Sequence, residues 1–182
     1  RPQQGLRDHP LFHTKVRYYS IREKKMLVGL YTIQPQKLFT LFPDITHHQV
    51  RLAQKLYNKL GSTWIEQSQE AYGRDGYKGV AALTDYKSKA VIDALMLKLS
   101  SLSPDLFPPS DYSFVDDVVQ NVSKGVTCLI DISGISFEEQ HHVTCLTASS
   151  VAFHYKHMWE DNFEEWKKLP TLLITLEEAH EF

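Results

Sequence analysis

The sequence predicts an α/β fold in which part of a parallel sheet is combined with a mostly helical insertion. Two apolar runs of buried-strand length, residues 125–132 and 171–176, flank a segment with a strong helix-start signal. A strand, a helix and a strand in this order are typical of a right-handed crossover in a parallel sheet. Near the start of the chain, residues 15–21 alternate as a third strand, whereas residues 34–123 have a mostly helical pattern.

The first elements are predicted from alternation and from proline. Residues 15–21 read KVRYYSI and are predicted to form a strand. Val16 and every second residue after it are expected on one face of the strand, and Arg17 and every second residue after it on the other. Residues 27–33 are a further candidate strand, the next one along the chain after 15–21. Proline is well placed at a helix start, and a short helix is therefore predicted at 35–42, where helical spacing relates Leu38, Phe39 and Phe42.

The next helix has the best-marked start in the chain. Thr46 and Gln49 form a capping box, and Ile45 can pack against Val50 as a hydrophobic staple. The apolar stripe of this helix is predicted to contain Val50, Ala53, Tyr57 and Leu60. A further helical piece at 62–72 is possible, and a loop is predicted to follow it at Gly73, Gly76 and Gly79.

Three more helices are expected from apolar periodicity. One runs from about 85 to 102, with inward side chains at Val91, Leu95, Leu99 and Leu102. A shorter helix is predicted at 111–123. Four of its apolar side chains are available for packing, namely Phe114, Val115, Val118 and Val119. Ser136 and Glu139 repeat the capping-box pattern at the start of a long helix that reaches about residue 157.

Length and composition fit one compact domain. The 182 residues are 42% hydrophobic, enough for a substantial core. We expect residues 1–33 and 124–182 to form the sheet-bearing core around the insertion at 34–123. The two cysteines fall in a predicted strand and a predicted helix, which argues against a disulfide framework and favours a cytoplasmic protein. The sequence contains no apolar run long enough to span a bilayer, so no membrane partner is expected.

The charge is small in total but uneven along the chain. The formal net charge is −2, yet residues 1–60 contain eleven Lys/Arg against three Asp/Glu, whereas residues 136–182 contain three against nine. Such asymmetry is typical of an anion-binding surface, or of two faces of a subunit that meet head to tail in a ring. The absence of a dense basic run slightly favours the ring.

The strongest chemical signal is the acidic pair Glu177–Glu178 directly after the apolar run at 171–176. An apolar strand that ends in two acids is the Walker B arrangement, which places carboxylates at the carboxyl edge of a parallel sheet, where ligands bind. In ATPases the first acid holds magnesium through water, and the second deprotonates the attacking water. The alternative is that the pair is only the polar exit of a buried strand.

Three segments of the sequence resemble those of one known family. The ending LLITLEEAHEF is similar to the Walker B segment of HerA-type proteins, members of the HerA/FtsK superfamily of P-loop ATPases, in which a hydrophobic run precedes Glu-Glu-Ala-His. Residues 125–140, GVTCLIDISGISFEEQ, resemble a strand ending in Asp-Leu-Ser-Gly that leads into a helix beginning Glu-Glu-Gln. Residues 30–57 are similar to the stretch in which that family inserts helices between the phosphate loop and the acidic strand.

The resemblance implies a P-loop-type sheet and an ATP-hydrolysing DNA translocase or helicase that assembles as a homo-hexamer. Its partners would be DNA and either a nuclease or a defence effector enzyme. Glu178 would be the catalytic carboxylate, and Glu177 would hold magnesium through water, with ATP and Mg as cofactors of the intact protein.

The sequence departs from the family pattern most clearly in its missing phosphate loop, and its first acid is Glu177 where many P-loop enzymes have Asp. It contains no G-x-x-x-x-G-K-[ST] motif, the backbone cradle for the β- and γ-phosphates. We therefore expect the chain to be an internal fragment of one ATPase domain, cut at both ends and inactive in isolation. The alternative from another class is a helical protein-interaction or scaffold module without catalytic activity.

Basic side chains in the first sixty residues are weak candidates for nucleic-acid contacts in a ring channel. An ordinary solvated face is the simpler interpretation. The candidates are Lys15, Arg17, Lys24, Lys25, Arg51 and Lys55. Histidines and Cys145 in the predicted helix at 136–157 lack the four convergent ligands of a structural zinc site, so no metal is expected besides magnesium at Glu177.

Overall fold

The computed structural model describes residues 12–23 and 26–176, and the described part of the chain is mostly helical with one two-stranded parallel sheet. The chain divides into two units. One contains the segments Arg1–Met26 and Phe114–Phe182, and the other is Leu27–Ser113. The first unit contains the sheet, and the second is helical, so the fold is α/β in a broad sense.

The sheet pairs two strands that are distant in sequence. Strand β1 (Val16–Ser20) lies parallel to strand β2 (Thr127–Asp131), with Val16 opposite Thr127 and Ser20 opposite Asp131. The predicted strands at 15–21 and 125–132 are thus confirmed. Because the strands are parallel, both carboxyl ends lie at one edge of the sheet.

The other two predicted strands are wrong in the described structure. Residues 27–33 contain a 3₁₀ turn at Leu30–Thr32, and the Val28 N–H donates to the Leu106 carbonyl at 2.8 Å instead of to a strand ladder. The apolar pattern was a sign of burial, since Val28, Leu30 and Ile33 are buried, but burial does not require a sheet.

The 171–176 segment has no regular secondary structure, although a buried strand is predicted there. Leu173 is 85% exposed, Ile174 44% and Leu176 47%. A strand exists only when a neighbouring strand satisfies its N–H and C=O groups, and an apolar run by itself cannot supply that neighbour. In the described residues, β1 and β2 pair only with each other.

Unit Leu27–Ser113 is built from helices. They are α1 (Leu38–Leu41), α2 (His47–Leu60), α3 (Trp64–Asp75), α4 (Tyr77–Thr84) and α5 (Lys89–Ser100), with 3₁₀ turns at Pro35–Lys37 and Gly61–Thr63. Trp64 is completely buried, and its indole N–H donates to the Ile33 carbonyl at 2.9 Å. This bond satisfies the polar end of the largest side chain in the core.

The capping box at the start of α2 is confirmed, but its predicted apolar stripe is displaced. The Gln49 N–H donates to Thr46 Oγ1 at 3.3 Å, and the Thr46 N–H donates to Gln49 Oε1 at 2.7 Å. The buried side chains of the helix are Gln49, Leu52, Ala53 and Leu56. Of the four residues predicted to form the apolar stripe, only Ala53 is buried. The other three are half-buried and lie beside the buried face of α2; they are Val50, Tyr57 and Leu60.

The predicted glycine loop is wrong, because the three glycines have different roles. Gly73 lies inside α3, and Gly76 ends α3 with φ +60°. Gly79 lies inside α4, where a Cβ would stand 2.2 Å from the Ala71 carbonyl oxygen of α3. Glycine at position 79 therefore permits α3 and α4 to pack closely and does not interrupt the helix.

The predicted helix at 85–102 is shorter than expected. Asp85 adopts φ +56° as the left-handed cap of α4, and α5 begins only at Lys89. The α5 side chains that enter the core are Ile92, Leu95, Met96 and Leu99. Asp tolerates the left-handed region better than most residues, which explains a helix end at a position without glycine.

The first unit adds α6 (Phe114–Ser123), α7 (Phe137–Asp161) and α8 (Phe163–Trp166) to the sheet. The capping box of α7 is confirmed, since the Glu139 N–H donates to Ser136 Oγ at 3.3 Å and the Ser136 N–H donates to Glu139 Oε2 at 2.8 Å. The first half of α7 has buried residues as far as Val151, whereas Phe153 and Trp159 in its second half are 61% and 53% exposed.

Candidate functional site

Asp131 lies at the carboxyl edge of the parallel pair, at the end of β2. Its Oδ2 accepts a hydrogen bond from the Tyr18 hydroxyl at 2.5 Å, and its Oδ1 accepts one from the Ser133 N–H at 3.0 Å. Hydrogen bonds from Ser133 and Tyr18, with a smaller contribution from the charge of Arg22, lower the pKa of the Asp131 carboxyl. Asp131 is therefore charged at neutral pH.

The local sequence explains why the chain leaves the sheet immediately after Asp131. Gly134 adopts φ +89°, a left-handed conformation that glycine accommodates without steric cost. Ser136 then caps α7. The capping box satisfies the N–H of Glu139, one of the four N–H groups that have no partner within the helix.

After α7 and α8 the chain returns to the amino end of β2 at Pro170. The Tyr155 hydroxyl donates to the Pro170 carbonyl at 3.1 Å. A Cβ built on Gly125 would lie 3.9 Å from Pro170 Cβ, an ordinary van der Waals contact. The 171–176 segment thus begins beside the residue that precedes β2 by two positions. This is the position from which a strand parallel to β2 would begin.

A second polar cluster joins β1 to α6. The Tyr19 hydroxyl donates to Asp117 Oδ2 at 2.7 Å and accepts from Asn121 Nδ2 at 3.1 Å. Burial raises the pKa of Tyr19, and the hydrogen bond to Asp117 raises it further. Burial also raises the pKa of the neighbouring Cys128 thiol to about 11, with Asp117 contributing. Both groups are neutral at physiological pH, so the cluster serves to hold β1 against α6.

Some of the predicted site residues lie outside the part of the chain that the structure describes. Glu177 and Glu178, and the basic Lys24 and Lys25, lie outside the described residues. Asp131 is not among the predicted site residues, although an acid at the end of an apolar run is the same signal that singled out the Glu177–Glu178 pair. Tyr19 and Asp117 are far apart in sequence, and no local signal relates them.

The remaining basic candidates fall into two groups. Lys15 and Arg17 are exposed in the first unit, at the end of a 3₁₀ turn and in β1. Arg51 and Lys55 are exposed in the second unit, four residues apart on α2. Residues at i and i+4 share one helix face, so the second pair forms a single surface.

The histidine-rich helix α7 offers limited ligand chemistry. Cys145 Sγ lies 3.7 Å from His141 Nε2. Burial raises the pKa of the Cys145 thiol, so the nearby imidazole does not activate it. Within residues 12–23 and 26–176, no group of three or more His, Cys, Asp or Glu side chains is arranged to hold a metal ion. In the same residues, no helix combines the length and the apolar character needed to cross a membrane.

No protein-family model, curated protein or solved structure matches this chain.

Proposed function

We propose that this chain is part of a HerA-type, ATP-hydrolysing DNA translocase, and that it contributes the acidic pair Glu177–Glu178 to the ATPase site. The observation that supports the proposal most is the course of the chain around β2. After β2, the chain passes through α7 and α8 and reaches Gly125, at the amino end of β2, with Pro170. A strand–helix–strand crossover of a parallel sheet takes the same course up to the start of its second strand.

The length of the following segment fits this arrangement. Six extended residues reach about 20 Å, slightly more than the five residues of β2. A 171–176 segment that ran alongside β2 would therefore bring the acidic pair to the carboxyl edge. Asp131 already lies at that edge as an ionised carboxylate. In open α/β sheets, ligands bind at this edge.

The proposed roles rest on the resemblance of the chain's ending to a Walker B segment. Glu178 would accept the proton of the attacking water, and Glu177 would hold magnesium through water. Magnesium, when bound, neutralises charge on the phosphates, and carboxylate oxygens such as that of Asp131 are ligands it prefers. The phosphate-binding loop, the hexamer, the DNA and a nuclease or defence effector belong to the intact protein in this proposal.

The test is a Glu178→Gln substitution in the intact protein, with ATP turnover and nucleotide binding measured separately. Loss of turnover by about a hundredfold or more with nucleotide affinity nearly unchanged is expected of a general base. Glu164→Gln is the matched control, because Glu164 is an exposed acid of α8 that pairs only with Lys167 among the contacts of the described chain. Equal turnover in the two variants would refute the ATPase assignment.

A second candidate, a helical interaction module without catalysis, is favoured by the exposed apolar side chains. Phe153, Trp159 and Leu173 are each more than half exposed, all in the first unit. Large exposed apolar side chains mark a protein contact where they lie together in one patch. In this alternative, Leu173→Asp abolishes the association of the chain with its protein partner, measured by sedimentation. Glu178→Gln changes neither that association nor any ATPase activity. Loss of turnover in Glu178→Gln would contradict it.

A further inference from the structure

The solvent face of α2 is a basic surface within a unit that is nearly neutral. Unit Leu27–Ser113 contains nine Lys/Arg and eight Asp/Glu, but α2 has three of the cations and none of the acids. The cations are Arg51, Lys55 and Lys59, all exposed. We call these three residues the α2 ridge.

The geometry of the ridge follows from helical spacing. Its members stand at i, i+4 and i+8, so they form one row about 12 Å long. A different side of α2 is fixed in the core by Leu52, Ala53 and Leu56. The helix is therefore held with its cationic row toward solvent.

The ridge is not neutralised by neighbouring acids. Elsewhere in the unit, cations pair with carboxylates, as in Lys98–Asp44 at 2.5 Å and Lys89–Asp93 at 2.6 Å. None of the three ridge residues forms a salt bridge with another residue of the described chain. The nearest acid in the adjoining groove is Asp85, which leaves the row with a net positive charge.

An aromatic ring and a groove lie beside the ridge. Lys55 Nζ stands 5.8 Å from the centroid of the half-exposed Tyr86 ring. A shallow groove of about 360 Å³ runs along this side of α2, between Lys55, Asn58 and Lys59 on one wall and the end of α4 on the other. Cations that follow a backbone, next to an aromatic face on which a base can stack, are the usual elements of single-strand binding.

We infer that the α2 ridge binds the phosphate backbone of a single-stranded nucleic acid, with Tyr86 stacking on a base. The inference deepens the proposed function and rests on it only for the identity of the polymer as DNA. It requires neither ATP nor the acidic pair. Each neutralised phosphate releases counterions, so three contacts give a slope of log K against log salt of about −2.

The experiment is a fluorescence-polarisation titration of a labelled oligothymidylate of about 20 nucleotides, long enough for one site, at several salt concentrations. The ridge variant combines Arg51→Gln, Lys55→Gln and Lys59→Gln. We expect its affinity to fall by about tenfold or more and its salt slope to become shallower by about 2. Unchanged binding would overturn the inference.

The matched control removes three cations from the same unit outside the ridge, with Arg74→Gln, Lys78→Gln and Lys89→Gln. All three side chains are exposed, and the change in net charge is the same. The affinity of this variant for oligothymidylate should stay within about twofold of that of the unchanged protein. Charges that do not contact the phosphates are screened by salt and contribute little to the affinity. Equal weakening in both triple variants would show a general charge effect and refute a defined ridge.

Three further measurements separate the possible partners and the two proposals. Tyr86→Leu should weaken oligothymidylate binding several-fold and leave duplex binding unchanged, since only a single strand offers an unstacked base. Oligoglutamate that competes as well as oligothymidylate would instead indicate an acidic protein and overturn the inference. In the intact protein, loss of turnover in Glu178→Gln together with unaltered DNA binding by the ridge variant would reject the ridge alone.

Discussion

Substitution of Gly79 by alanine is predicted to destabilise the helical unit, against the usual helix preference for alanine. A Cβ at this position would stand 2.2 Å from the Ala71 carbonyl oxygen and 3.2 Å from Asp75 Cβ. The first contact is with backbone, so rotation of a side chain cannot relieve it. Overpacking costs about 3 kcal/mol at the upper end of its range, and alanine regains about 1 kcal/mol of helix propensity. The net loss is about 2 kcal/mol.

Gly73→Ala is the matched control for this prediction. Gly73 is also helical, but a Cβ there would have nothing within 4 Å. It should gain about 1 kcal/mol or slightly less from propensity alone. Urea unfolding can be followed by Trp64 fluorescence after Trp159→Phe and Trp166→Phe. With a slope of about 2 kcal/mol per molar urea, the midpoint should fall by about 1 M for Gly79→Ala and rise by about 0.4 M for Gly73→Ala. Midpoints that move in the same direction would refute the packing argument.

Two further predictions concern polar contacts. Thr46→Ala should destabilise the unit by about 1 kcal/mol and speed amide exchange in the first turn of α2, because Gln49 loses its cap, whereas Thr46→Ser should be nearly neutral; equal effects of both would exclude a role for the hydroxyl. Tyr19→Phe should cost about 1–2 kcal/mol at neutral pH through the lost bond to Asp117. The pKa of Tyr19 is raised in the folded state, so its contribution is complete below the unfolded pKa of 10.0 and is lost as the pH rises above it. Above pH 10 the free energy of unfolding should therefore fall more steeply with pH for the unchanged protein than for Tyr19→Phe, by up to about 1.4 kcal/mol per pH unit. Parallel curves would contradict this assignment.

Features decided by neighbouring residues could be predicted from the sequence. Both capping boxes, at Thr46 and Ser136, are formed as expected, because donor and acceptor lie within three residues of each other. The strands β1 and β2 were also recognisable, from alternation in one case and from an apolar run in the other.

Features decided by distant parts of the chain were not predictable. Gly79 has the same local signature as a loop glycine, and only the approach of α3 gives it its packing role. The 171–176 run has the same composition as a buried strand, but its secondary structure depends on a partner strand. The hydroxyl of Tyr19 meets Asp117 across 98 positions of sequence, a distance over which no pattern in the chain relates the two residues.

The exposed 171–176 segment has a consequence for handling the chain in solution. It reads TLLITL, six residues with high β-propensity and without charge, proline or glycine. Such hexapeptides can stack into the interdigitated sheets of amyloid fibrils when they are accessible. With Leu173 and its neighbours open to water, the chain should form fibres on concentration, and a lysine at position 173 would act as a gatekeeper against them.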